Sequence, residues 1–309
     1  MPVTVVGSIA FDAVKTPFGE HERMLGGAAV HFALAASFFD EVRIVGPVGD
    51  DFGEPELEVL RRRKIDVSGI EHVPGGRTFF WRGEYGWDLN TRETLDTQLG
   101  VFEQFEPKLS AAARSSDVVF LANIQPDLQR AVREQCQDAR FAALDSMNLW
   151  IEVARDSLIE AINSVDCLIL NDAELRQLAG KPSLVSAARE VLSWGPPGRR
   201  AVVAKLGEYG AALITADGYF SIPAFPLETV VDPTGAGDSF AGGFVGYIAA
   251  QGRDKPLTPN MLRRAMAYGT AIASFNVQEF GTERVARLRR DEIDERVVEL
   301  RRMTAFSTP

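Results

Sequence analysis

The run Val231-Asp232-Pro233-Thr234-Gly235-Ala236-Gly237-Asp238-Ser239-Phe240 sets two glycines one residue apart and places a carboxylate where a helix should begin. The N–H groups of Gly235, Ala236 and Gly237, running into a helix N-terminus, form a concave cluster of donors suited to developing negative charge. Asp238 is a poor ligand for phosphate, because like charges repel. It is a sensible base for a hydroxyl poised beside that phosphate. A local reading stands beside this one: Asp238 complements the helix dipole and the glycines turn the chain. The standard nucleotide fingerprints do not fit, since G-x-x-x-x-G-K-[ST] is absent and Phe240 takes the place of the third glycine of G-x-G-x-x-G.

Other short stretches suit the same chemistry. Asn171 and Glu174 in "NDAEL" follow the apolar run "CLIL", so both can face the crevice at the carboxyl end of a strand. Their oxygens suit a hydrated Mg2+ that keeps several waters, and equally suit a helix cap with an acid in the first turn. Lys205, Gly207 and Gly210 in "AKLGEYGA" can run along nucleotide phosphates or make a hairpin turn. Gly26 and Gly27 precede a helix, where a small ligand can approach the backbone, and Asp12 ends "GSIAFD" as an acceptor for hydroxyls. A tight turn, a solvated loop acid and, for His31, a packed helix residue are the plain alternatives.

The elements that must position these residues are legible as a rhythm. Apolar, β-rich runs at 3–7, 42–48, 117–122, 140–144, 166–170 and 201–206 alternate with helix-period stretches at 27–39, 54–64, 126–136, 150–164 and 183–194. This is the βαβ pattern of a buried, mainly parallel sheet. Helical patterns at 237–251, 258–276 and 290–304 add cover after it. Residues 76–100 break the rhythm with strand formers, aromatics and turn residues, and can pair with 11–24 into a small β lid across the strand ends. Strand alternation puts Phe79, Trp81, Tyr85 and Trp87 on one face of that lid, to close on an acceptor or to form an interface with a second copy.

Composition narrows the classes. The chain has 309 residues, 46% of them hydrophobic, which is enough for one large α/β domain with a full core. With 33 basic against 43 acidic residues, the net charge of -10 repels a nucleic-acid backbone, and "RRRK" at 61–64 reads as the solvated end of a helix. No apolar run approaches the roughly 20 residues that span a bilayer. Cys136 and Cys167 are too few for a disulfide framework or a metal cluster, and the expectation is a cytoplasmic protein.

In order along the chain, "GSIAFD", "GGAAVHFALAA", "VGPVGDDFG", "NDAEL", "KLGEYGA", "DPTGAGDSFAGGF" and "AMAYGTAIASFNV" resemble the ribokinase-like carbohydrate kinases of the PfkB family, over nearly the whole chain. The resemblance implies a single domain over 1–309 with a three-layer α/β/α fold and a small β lid. It implies Asp238 as catalytic base, with the amides of Gly235, Ala236 and Gly237 as anion hole. Asn171 and Glu174 match an N-x-x-E that organises Mg2+ and phosphate through water. Lys205, Gly207 and Gly210 match the nucleotide loop, Lys205 standing where many relatives have Thr. Asp12, Gly26, Gly27 and His31 match acceptor-binding positions; relatives that take sugars usually carry Asn at the place of His31. Asp232 and Thr234 match positions that help bind a monovalent cation such as K+ in some relatives.

The expected activity is transfer of phosphate from ATP to a primary hydroxyl of a small sugar, with a nucleoside as the alternative acceptor. His31 and the lid tryptophans are expected to touch that acceptor. A homodimer through the lid is a further expectation. Two other classes compete: a nucleotide-dependent oxidoreductase, which lacks its fingerprint after the first strand, and a catalytically silent sensor, which would be expected to lack Asp238 or the glycines.

Overall fold

The computed structural model describes residues 2–194 and 201–306, so the ends of the expected 1–309 unit lie outside the described residues. Its strands are β1 (Val3–Val6), β2 (Ala10–Thr16), β3 (Gly19–Gly26), β4 (Val42–Val48), β5 (Asp66–His72), β6 (Phe79–Tyr85), β7 (Arg92–Gln98), β8 (Val118–Leu121), β9 (Phe141–Asp145), β10 (Cys167–Asn171), β11 (Ala201–Lys205), β12 (Ala211–Thr215) and β13 (Gly218–Ile222). The helices are α1 (Ala28–Ala36), α2 (Glu54–Arg62), α3 (Ala111–Arg114), α4 (Pro126–Gln135), α5 (Asn148–Val153), α6 (Arg155–Asn163), α7 (Asp172–Ala179), α8 (Leu184–Trp194), α9 (Ala236–Ala249), α10 (Pro259–Asn276), α11 (Glu283–Ala286) and α12 (Arg290–Thr304).

A nine-stranded sheet runs in the order β13-β12-β11-β10-β9-β8-β1-β4-β5, and only the pairings of β12 with its two neighbours are antiparallel. The apolar runs are continuous because both faces are covered. Val3, Phe120, Ile169 and Val203 pack with α1, α9 and α10 on one side, while Val6, Leu121, Leu170 and Ala204 pack with α4, α6, α7 and α8 on the other. That is the expected α/β/α sandwich. Glycines let the covering helices touch backbone to backbone: a Cβ on Gly242 would lie 2.4 Å from Phe32 O, and one on Gly243 would lie 2.9 Å from Gly269 Cα.

A second sheet, β3-β2-β6-β7, joins the two segments expected to make a lid. β2 runs antiparallel to β3 and parallel to β6, and β6 antiparallel to β7. Two expectations are corrected and an edge strand is added. The helical pattern at 150–164 is two helices, α5 and α6, because Ala154 leaves helical angles at φ -142°, ψ 37°. The edge strand β5 escaped notice, since its sequence DVSGIEH is polar and glycine-broken. Trp87 does not share the face of Phe79, Trp81 and Tyr85: β6 ends at Tyr85, and Trp87 is 91% exposed in the turn that follows.

Candidate active site

The carboxyl ends of β9, β10 and β11 and the N-terminus of α9 converge, and each delivers a charged or polar group. Gly235 caps α9 in the left-handed region, φ 71°, which a side chain would strain. Among the described residues the N–H groups of Gly235 and Gly237 have no protein acceptor, whereas Ala236 N donates to Pro233 O at 3.2 Å. Of the three amides expected to form an anion hole, the middle one is thus used by the turn that starts the helix.

Asp238 follows at the head of α9. Burial pushes its pKa up to about 7, helped by the negative charge of Asp145 and opposed by Lys205 and Arg92. A carboxyl so placed changes protonation near neutrality, which suits a general base. Asn171 and Glu174 form a reciprocal cap on α7: Asn171 Oδ1 accepts from Glu174 N at 2.7 Å and Glu174 Oε2 accepts from Asn171 N at 2.9 Å. That pins Glu174 and leaves Oε1 without a protein donor among the described residues. Burial raises the Glu174 pKa, against the pull of Lys205.

Lys205, expected along the nucleotide loop, turns its ammonium to Asp145. Its Nζ donates to Asp145 Oδ2 at 2.7 Å, and a Cβ built on Gly237 would lie 3.0 Å from that Nζ. Gly207 and Gly210 lie in the hairpin between β11 and β12, at φ 57° and 99°, and a Cβ on Gly210 would meet Ile222 O at 2.1 Å. Asp12 is 6% exposed on β2, packed on Gly26 and bonded by the Gly27 amide. Burial raises its pKa to about 7, with the charges of Asp232 and Asp238 adding to the rise. The lid and the glycine loop therefore share one electrostatic neighbourhood.

His31, expected at the acceptor, packs against the glycine loop, and its Nε2 is buried with no hydrogen-bond partner among the described residues. It is 2% exposed beneath the loop, and a Cβ on Gly235 would lie 2.3 Å from its ring. Asn276 Nδ2 donates to Thr234 O at 2.7 Å, so its Oδ1 is the acceptor shared by Ser239 Oγ (2.9 Å) and His31 Nδ1 (3.1 Å). The proton of a neutral His31 is thereby assigned to Nδ1. Burial lowers the His31 pKa despite Asp232, keeping the ring neutral. His31 supports the loop from below. Asp232 is fully buried, its Oδ1 accepting from Thr234 N at 2.8 Å and its Oδ2 from Gly281 N at 2.9 Å.

Sequence reasoning missed Asp145, Asn276 and Arg92. Asp145 lies one residue past the run recognised as its strand, and the only signal was an acid ending "FAALD". Arg92, on β7, acts electrostatically on Tyr85, Glu174 and Asp238, and nothing in "TRETLDT" announces this. Among the described residues no cluster of three or more His, Cys, Asp or Glu could hold a metal directly, and no helix is long and apolar enough to cross a membrane.

The family model for pfkB family carbohydrate kinases matches residues 3–287. A cytidine kinase of Thermococcus kodakarensis is 29% identical over 264 residues, covering 83% of this chain and 91% of that protein. A ribokinase of Lactococcus lactis is 27% identical over 297 residues, covering 91% and 92%. Among solved structures, a Burkholderia thailandensis nucleoside kinase in complex with ADP-inosine superposes with a TM-score of 0.80 at 21% identity, covering 96% of this chain and 95% of that one.

Proposed function

The chain belongs to the pfkB family of carbohydrate kinases and is an ATP-dependent phosphotransferase acting on an alcohol, and we propose that its acceptor is the primary hydroxyl of a nucleoside. The observation that carries the choice of acceptor is the pairing of Asp12 with Trp81 across β2 and β6. Neighbours in register point to one face of a sheet, so Trp81 and Asp12 share a face of the lid, the indole lying over Gly83 and donating to Thr94 Oγ1 at 3.3 Å. A base stacked on that ring would gain roughly 1–3 kcal/mol by analogy with single-strand recognition. Similarity to a cytidine kinase supports the same acceptor. A simple sugar is the second reading, supported by the similarity to a ribokinase.

In the proposed reaction the Asp238 carboxylate takes the proton of the acceptor hydroxyl as its oxygen attacks the γ-phosphorus. The bond to the β-phosphate breaks and ADP leaves. The amides of Gly235 and Gly237 donate to the oxygens of the transferring group. Gly207 and Gly210 line the nucleotide side, and Gly26, Gly27 and Asp12 the acceptor side. The residues fit a hydrated Mg2+: Glu174 keeps one oxygen for water, and a bound Mg2+ would neutralise phosphate charge. Asp232, buried and capped by amides without a cationic side-chain partner among the described residues, fits K+ beside Thr234.

Both cysteines are buried and free, which supports a cytoplasmic setting. Phe18 (54% exposed) and Leu95 (50%) leave apolar surface on the lid, which supports a homodimer through it.

The experiment is a phosphorylation screen of nucleosides and sugars with ATP and Mg2+, repeated with Trp81→Ala. Turnover of a nucleoside with an acceptor KM raised far more than the ATP KM is the expected result. Turnover of free sugars alone, with Trp81→Ala unchanged, overturns the nucleoside assignment.

A further inference from the structure

Asp145 is 4% exposed at the end of β9, with its Oδ1 accepting from Ser146 N at 2.8 Å and its Oδ2 from Lys205 Nζ at 2.7 Å. Asn171 and Lys205 are paired in register on β10 and β11, and β9 lies directly beside β10. The ion pair therefore spans the strand that carries the Asn171–Glu174 cap. Its ammonium fills the space that a side chain at 237 would occupy: a Cβ there would lie 3.0 Å from Nζ, 3.4 Å from Cδ and 3.5 Å from Cε. Glycine at 237 thus serves a second purpose besides presenting an amide. It admits the lysine head to the hollow beside Gly237, next to the loop that carries the free N–H groups of Gly235 and Gly237.

The charges around that head are Asp145 from β9, Glu174 from α7 and Asp238 from α9, with Arg92 from the lid acting on the last two. Burial alone would lower the Lys205 pKa, but the three carboxylates outweigh it and hold it up at about 12. Lys205 is a permanent cation. An ammonium has three protons, and Asp145 takes one, leaving two for an anion in the same hollow. A lysine stem free in solution samples many rotamers, and this anchor removes that freedom before any substrate arrives.

We propose that Asp145 is a positioning residue that holds Lys205 over the glycine loop, where the ammonium meets the phosphoryl group during transfer. The proposal rests on the kinase reading above. Lys205 neither gains nor loses a proton in the step. The acceptor oxygen forms its bond to phosphorus, the bond to the β-phosphate breaks, and the acceptor proton goes to Asp238. The ammonium offsets charge on the oxygens of the group in flight.

The test uses the full chain, an acceptor turned over by the wild type, and Asp145→Asn, Lys205→Met and the double variant. Asp145→Asn should lower kcat by about 10- to 100-fold and Lys205→Met by about 100- to 1,000-fold, while the ATP KM stays within about threefold. Compared well above the pKa of Asp238, where the direct effect of Asp145 on that base is silent, the double variant should be no slower than Lys205→Met, because there the carboxylate acts through the ammonium. Binding of ADP with aluminium fluoride and acceptor, a mimic of the group in flight, should weaken by the factor lost in kcat. Binding of ADP alone should not.

Losses that multiply in the double variant, losses that fall equally on ADP alone, or an Asp145→Asn enzyme at wild-type kcat each overturn the proposal. If Asp145→Asn fails to fold, Lys205→Met with the two binding measurements decides it: equal loss for ADP alone refutes the role in transfer. Absence of phosphoryl transfer in the wild type would refute the kinase reading itself, a distinct outcome.

Discussion

The Tyr85 hydroxyl on the lid lies 3.2 Å from Thr234 Oγ1 in the glycine loop, with the threonine donating. A second contact, Asn90 Nδ2 to Glu208 Oε1 at 3.1 Å, ties the lid turn to the hairpin between β11 and β12. The lid is thus latched to both the glycine loop and the hairpin on the proposed nucleotide side. Tyr85→Phe removes one neutral hydrogen bond, worth about 0.5–1.5 kcal/mol. Steady-state kinetics should show kcat/KM for the acceptor falling by roughly 2- to 10-fold, with folding unchanged. An unchanged value would mean that the latch does not contribute to closure.

The pH dependence follows from Asp238. A base works only when ionised, and a pKa raised from 3.8 to about 7 means that acidification removes the active form early. The kcat/KM profile should therefore fall about tenfold per unit below about pH 7. A profile flat down to pH 5 would show that the carboxyl is not the titrating base.

Arg92 is expected to move that limb. Its positive charge lowers the Asp238 pKa, so Arg92→Met should shift the acid limb to higher pH and reduce kcat at pH 7. A limb that stays in place, or moves to lower pH, would remove Arg92 from the site.

Glu174→Gln keeps the shape of the α7 cap but removes the charge. The Mg2+ concentration for half-maximal activity should rise by about 10- to 100-fold, read by metal titration. An identical titration would free Glu174 from any metal role.

Much of the scaffold was readable because buried parallel strands and amphipathic helices carry strong periodic signals. β1, β4, β8 and β11 fall inside apolar runs and α10 and α12 inside helical patterns, while β10 ends one residue after its run and α9 begins one residue before its pattern. The break at Ala154 was not readable, since no glycine, proline or change of period marks it. Within the site, the residues visible in sequence were those joined by local motifs: Gly235 to Asp238, and Asn171 with Glu174. Those that were not visible act across the fold. Asp145 meets Lys205 over 60 positions, and His31 meets Asn276 over 245. His31 is buried against Gly235, a contact that no local pattern announces.

The central claim, that Asp238 accepts the proton of the acceptor hydroxyl, is tested most directly by the single-turnover rate of Asp238→Asn with ATP, Mg2+ and a confirmed acceptor, alongside its affinity for ADP. The account predicts a rate lower by roughly 100- to 10,000-fold with ADP affinity and thermal unfolding close to wild type. A variant that transfers phosphate at near the wild-type rate would contradict it.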